Sequence, residues 1–290
     1  MLLLSTLLAA ALLLLVVTTD AAVTSPLPPP PPPPRTIIRA SPSGRVSLAA
    51  ALAEAAAAAS AGGAPTTVLL EPGVHRVEAP LQMPSGVRLS GGGRATVSGA
   101  VEIGGWAAVP GKPWLHRAPL PEPLQGRSVH QLFVSGQRRG AARSLTMRFS
   151  NLSATGLVAA PGQLLPTYAN ASAMLCLTYQ HWTAAVRQVI AIDVASGAIT
   201  LDAPPAAMTG DAMSGSRYAL YNAPEYLSAG PGTFVADGTS ILYAPLAAEH
   251  PFSGQHEVLA AKPGLYEIVS SNNTADVALE DVTFAHTDVE

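Results

Sequence analysis

Cysteine is nearly absent. Cys176 is the one cysteine in 290 residues, so no intramolecular disulfide can staple this chain. Its apolar neighbours in "AMLCLTY" mark a buried, inert thiol rather than a nucleophile. Aromatic residues make up only 5% of the chain, which limits broad stacking surfaces. Charged residues make up 12%, with a net charge of −3, so the basic footprint of a nucleic-acid binder is missing. No Cys/His group has the spacing of a zinc site. The "SGGG" before Arg94 leads into β-prone residues rather than a helix, which argues against a phosphate loop. No metal or other cofactor is expected. What is abundant is apolar residues, at 48%, punctuated by 25 glycines and 27 prolines. That is enough chain for one large domain or two ordinary ones.

Lys and Arg are also missing before Arg35. The apolar run from Leu2 to Val17 is shorter than the roughly 20 residues of a membrane span. Small residues follow it at Ala21 and Ala22, so residues 1–22 read as a signal peptide cut near Ala22. The missing basic n-region leaves an uncleaved membrane anchor as the alternative. Pro28 to Pro34 are seven consecutive prolines. They form a polyproline II spacer that no helix or sheet interior accepts, so residues 23–35 read as a stiff linker.

The folded part begins near Arg35. "SLAAALAEAAAAASAG" reads as a helix, with Ser47 as N-cap, Leu48 and Leu52 one turn apart on one face, and Gly62-Gly63 as its stop. Thereafter the helix signal vanishes. Short segments such as "TTVLL", "GVHRVE", "GVRLSG" and "ATVSG" alternate with the corners "EPG", "MPSG" and "GGG". Strands this short, with corners this frequent, suit a coil-by-coil solenoid. "LLEPGVHRV" and "LQMPSGVRL" repeat one theme, and the helix is placed to cap the first coil. Further on, "GTFVADGTSILYAP" reads as a hairpin turning at Asp237-Gly238.

The ordered run from Ser47 to Gly99 resembles the start of right-handed parallel β-helix proteins of the pectate-lyase-like superfamily. In that pattern a capping helix leads into a strand, then "Pro-Gly-x-Tyr/His", then "apolar-Pro-x-Gly-Val-x-Leu-x-Gly". "VHQLFVSGQRRGAARS", from Val129 to Ser144, resembles a segment of large β-helix glycoside hydrolases and their uncharacterised relatives. "HWTAAVRQVIAIDVASGAITLDAPP" is similar to the β-rich insertion that follows it there. A third segment keeps Asn222, Glu225, Leu227, Pro231-Gly232, Phe234, Gly238, Leu242, Tyr243 and Pro245, with Thr233 where the family often has Glu. The resemblance implies an all-β fold, a right-handed parallel β-helix with an N-terminal capping helix and an inserted β-rich subdomain. Residues 36–105 would be the cap and first coils, 106–260 the insert, and 261–290 the return to the coils. The hairpin would pack the insert and return the chain to the coils. In the resembling hydrolases the catalytic carboxylates come from later coils, so the chain is expected to be truncated at its C-terminus, inactive alone, and without assignable catalytic residues.

Glycoside hydrolysis needs two carboxyl groups facing one groove. Near the end of the chain stand Glu280, Asp281, Asp288 and Glu290. Alternation along "DVTFAHT" turns Phe284 and Val282 inward, and Asp281 and Thr283 outward. His286 and Asp288 are the candidates for a sugar-binding groove, against a plainer reading as solvated corners. Trp182 is a candidate stacking face, against a place in the core of the insert. His75 is expected on the surface, and Arg143 in an ion pair supporting the insert. Asn151, Asn170 and Asn272 each open an N-x-Ser/Thr sequon and are glycosylation candidates in an exported protein. Two functions remain open: a secreted carbohydrate-active, glycoside-hydrolase-like protein acting on a polysaccharide or glycan, or a non-catalytic polysaccharide-binding scaffold.

Overall fold

The computed structural model describes residues 36–44, 46–61, 65–168, 173–179, 183–205, 217–249, 252 and 256–288. The leader, the proline run, Gly62-Gly63, Asn170, Trp182 and Glu290 lie outside the described residues.

Strands dominate the fold. The one α-helix among the described residues, Leu48–Ser60, begins where the Ser47 hydroxyl accepts a hydrogen bond from the Ala50 amide, a cap worth about 1 kcal/mol. Its buried residues Leu48, Ala51, Leu52 and Ala55 lie one turn or less apart, so one apolar stripe faces the neighbouring strands.

Those strands run parallel and in register. Thr36–Ala40, Thr66–Leu70 and the first part of Val87–Ser98 form successive rows, followed by the first part of Ala278–Ala285. Ile38, Val68, Leu89 and Leu279 stack directly on one another in a single aliphatic column. Gly73–Arg76 pairs with the second part of Val87–Ser98, and that part with Val282–Ala285. A third ladder joins Leu81–Gln82 to Val269–Ser270. Each row therefore turns a corner between ladders. One row uses Glu71-Pro72, the next uses residues 91–94, and the last uses Asp281 alone, at φ +50°. That bend resets the inside–outside parity, so Leu279 and Phe284 both stack on buried residues, Leu89 and Val97. They remain 45% and 36% exposed because no described strand covers this edge.

The close approach at the corner demands a glycine. A Cβ on Gly91 would lie 2.5 Å from the Asp281 carbonyl oxygen and 3.0 Å from the Val282 Cα. Both obstacles are backbone, so relief requires the rows to separate. Gly91→Ala is expected to lower stability by roughly 1–3 kcal/mol. A urea midpoint unchanged from the parent would contradict this packing.

Between Ala100 and Ala261 the chain forms two further bodies of sheet. The first has eight strands in the order Ala100–Glu102, Val258–Ala261, Leu132–Val134, Gln137–Ala141, Thr233–Ala236, Ser240–Ala244, Lys112–Pro119 and Ala107–Val109. All its pairings are antiparallel except that of Gln137–Ala141 with Thr233–Ala236. Leu132, Val134, Phe234, Ile241 and Tyr243 fill its core. The second body is a closed six-stranded barrel of Met147–Ser153, Gly156–Ala159, Ala198–Leu201, Ala184–Asp193, Leu175–Tyr179 and Arg217–Tyr221. Phe149, Leu157, Met174, Ile199 and Tyr218 pack its interior around Cys176. Burial pushes the Cys176 thiol up to about 12, so it stays protonated at neutral pH.

Three expectations need correction. His75 is buried, only 3% exposed, with its Nε2 2.9 Å from the Glu71 carbonyl oxygen. The corner at Glu71-Pro72 brings that carbonyl back over the ring, and Val97 covers the next row. Arg143 makes no described ion pair with a carboxylate. It donates to the Tyr221 hydroxyl at 2.9 Å and lies over the Tyr221 ring. The hairpin exists, pairing Thr233–Ala236 with Ser240–Ala244, but it sits in the middle of the eight-stranded sheet. The strand Val258–Ala261, not the hairpin, leads the chain back toward the parallel ladders.

Candidate functional site

The strand Ala278–Ala285 ends at His286, whose φ of +63° breaks the extended run. The bend swings the next residues toward loops that flank the eight-stranded sheet. The His286 ring meets Phe133 edge-on at 4.5 Å, and its Nδ1 lies 2.9 Å from the Ser98 hydroxyl. Two residues on, the Asp288 carboxylate has no exposed surface. It lies 3.2 Å from the His130 Nδ1 and accepts a 2.8 Å hydrogen bond from the Gly264 amide. Its own amide donates to the Leu265 carbonyl at 2.9 Å. Asp288 therefore fastens the end of a parallel strand to two loops, 127–130 and 263–266.

These two loops form one side of a cleft of about 400 Å³. The barrel forms the other side, through Arg187, Gln188 and Asp202. Arg187 spends its Nε and one Nη on the Pro204 and Val186 carbonyls, which fixes the guanidinium while leaving other N–H groups for a ligand. The Asp202 Oδ1 accepts from the Gln188 amide at 3.0 Å. Tyr266 stands at the mouth, 59% exposed. A second cavity of about 250 Å³ adjoins, sharing Ser128, His130, Leu175 and Val186 with the first. A third hollow, about 440 Å³, lies beside the helix, but its walls are Ala, Leu, Pro and Met with Gln82 as the one polar side chain. Of these three, the cleft at His130 carries the most charged and amide side chains.

Of the residues singled out from sequence, Asp288 lies behind this cleft, joined to His130 and Gly264 rather than facing the opening, while His286 packs on Phe133 and Ser98. Asn151 and Asn272 are exposed and lie apart from it. Arg127, His130, Arg187, Gln188 and Asp202 were missed. They come from distant segments: Arg127 and His130 from a loop beside the eight-stranded sheet, and Arg187, Gln188 and Asp202 from the barrel. Among the described residues no group of three His, Cys, Asp or Glu side chains could hold a metal ion, and no helix is long and apolar enough to cross a membrane.

Burial holds the His286 ring below its ordinary range; Arg76 adds to this and Glu257 opposes it. The unfolded chain therefore takes up this proton first as the pH falls through about 6.5. Stability is expected to decline as the pH falls from there toward the lowered folded value. The His130–Asp288 contact is common to parent and variant, so comparing the two reads His286 alone. His286→Asn tolerates the positive φ and isolates the first effect. Thermal melts between about pH 7.5 and 5.5 should show a flatter profile for the variant than for the parent; parallel profiles would contradict the assignment.

No protein-family model matches the chain, and no curated protein matches it in sequence. Among solved structures, a glycoside hydrolase superposes with a TM-score of 0.69 at 20% sequence identity, covering 87% of this chain. The chain spans about half of that protein's length, 51%. At this identity the likeness establishes a shared all-β fold.

Proposed function

We propose that this is an exported carbohydrate-active protein, glycoside-hydrolase-like, built on coils of a right-handed parallel β-helix. In this reading Leu48–Ser60 caps the coils and residues 106–260 are an insert carrying the sheet and barrel. Three in-register parallel ladders joined by corners carry the reading, and the fold shared with a glycoside hydrolase supports it. The glycan site is the cleft at His130. Arg127, Arg187 and Gln188 offer donors, Asp202 offers an acceptor, and the exposed Tyr266 ring offers the kind of flat apolar face on which a pyranose can stack. Asp288 is a positioning residue here, holding the wall that carries His130, and His286 makes the bend that brings it there. Trp182, outside the described residues, remains a candidate stacking face. Asn151, Asn170 and Asn272 are proposed glycosylation sites.

One observation favours binding without turnover by this chain. Hydrolysis needs two carboxyl groups across one groove, roughly 5–10 Å apart. The described cleft presents one, Asp202, because Asp288 is sealed behind the wall. The expected result is that protein recovered from the medium of a secretory host binds oligosaccharides on a glycan array, yet releases no reducing ends from them. Steady turnover would refute the non-catalytic reading, failure to bind any glycan would refute the carbohydrate reading, and recovery only in membranes would favour the uncleaved anchor.

A further inference from the structure

The two adjoining cavities differ in chemistry, and the difference specifies more than a glycan. The larger is lined by charged and amide side chains, Arg127, Arg187, Gln188 and Asp202. The smaller is walled by Val129, Ala141, Leu175, Leu177 and Val186. It also touches Asn222, Tyr221 and Arg138, but the Asn222 amide is fully engaged and the Tyr221 hydroxyl partly so. The Asn222 Nδ2 donates to the Ala173 and Ala236 carbonyls at 2.6 and 2.7 Å, and its Oδ1 accepts from the Ala236 amide at 2.8 Å. The Tyr221 hydroxyl accepts from Arg143. A sugar pushed into this arm would give up hydrogen bonds to water and recover few of them, which is unfavourable. An alkyl or aryl group would shed water from its own surface and from the aliphatic walls, which is favourable.

We infer that the joined cavities take a glycoside with an apolar aglycone, the sugar in the polar arm at Arg187 and Asp202 and the aglycone in the apolar arm against the neighbouring side chains of Leu177 and Val186. The glycosidic oxygen then falls near His130 and Ser128, the polar residues common to both arms. This inference rests on the carbohydrate reading above and narrows it from glycans in general to amphipathic glycosides. A glycolipid headgroup with the root of its chain, and a small aryl or alkyl glycoside, share this chemistry.

Calorimetric titration of the full chain with matched methyl and hexyl pairs of the common pyranosides, in both anomers, tests the inference. At least one pair should show a gain of roughly tenfold or more in affinity from methyl to hexyl, while 1-hexanol alone binds far more weakly than that hexyl glycoside. Val186→Asp places a charge on the wall shared by both arms, at a side chain already 37% exposed, so folding should survive. This variant should lose the hexyl gain. Ile190→Asp, on the same strand but outside both cavities, should keep it. A short-chain glycolipid below its micellar concentration, compared with phenyl glycosides, separates the two sources by affinity. If methyl and hexyl members bind equally across the panel, the inference is overturned while the carbohydrate reading stands. Hexanol binding as well as the hexyl glycosides would also overturn it, and absence of all sugar binding would remove both.

Discussion

Replacing Glu249 with alanine is expected to cost about 3–5 kcal/mol of stability, close to unfolding a typical domain. Glu249 and Arg139 form an ion pair with side chains 8% and 9% exposed. The carboxylate also accepts from the Tyr243 hydroxyl at 2.6 Å and the Leu246 amide at 2.8 Å, and Arg139 donates to the same Tyr243 hydroxyl at 2.9 Å. Burial pushes the Glu249 carboxyl up, but the bonds from Tyr243, Arg139 and Leu246 outweigh it and hold it below the usual range. Its contribution is therefore present above the ordinary carboxylate range and is lost in acid, as the pH falls through the lowered value. Removing one partner strands the other charge and a phenol in the core of the eight-stranded sheet. Glu249→Leu combined with Arg139→Met removes both charges and should recover much of the loss. Denaturant unfolding of the three proteins decides the matter. A single variant within about 1 kcal/mol of the parent would show the network to be expendable.

Asn222→Ala should be nearly as damaging, at roughly 3–5 kcal/mol. The residue is 8% exposed and holds a φ of +57°, a conformation asparagine adopts far more readily than alanine. Its amide joins the loop before the barrel strand Leu175–Tyr179 to the end of the hairpin strand Thr233–Ala236, through the three hydrogen bonds described above. Truncation leaves two carbonyls and one amide without this partner, at about 1–3 kcal/mol for each group that water does not reach. Asn222→Asp keeps the turn and the acceptor but sets a carboxylate oxygen against the Ala173 and Ala236 carbonyls, so it too should be strongly destabilising at neutral pH. If alanine unfolds at the parent's midpoint, barrel and sheet do not depend on this link.

The parallel region was legible from sequence because each piece carried a local signal. Ser47 capped the helix, Val68 and Leu89 alternated with half-buried neighbours, and Gly91 and the Pro-Gly pairs marked corners. Even so, the repeat was misleading in detail. "LLEPGVHRV" runs from the first ladder into the second, whereas "LQMPSGVRL" runs from the third into the first. A shared corner chemistry had imitated a shared position. The barrel was not legible. Its strand order interleaves distant segments, with Gly156–Ala159 beside Ala198–Leu201 and Met147–Ser153 beside Arg217–Tyr221, and no local pattern encodes such pairings.

The same reason hid the candidate site. Arg187 and Asp202 carry no local signal in the sequence; the barrel sets them across the cleft from His130. Asp288 stood out as a carboxylate near a strand end, but its burial depended on the His286 bend and on loops over 20 residues distant in sequence. The segment holding Asn222 and Tyr243 was recognised by resemblance, and its residues prove to be structural links. Thr233, standing where the resembling proteins often carry Glu, closes its own turn by bonding to the Gly230 carbonyl.

The most direct test is a crystal structure of the chain with its best-binding oligosaccharide. The glycan site described above requires three parallel ladders in the register given and a sugar ring within hydrogen-bonding distance of Arg187 and Asp202, packed against Tyr266. A sugar bound elsewhere with that cleft left to solvent, or the segments 36–98 and 265–288 in any arrangement other than stacked parallel rows, would contradict it.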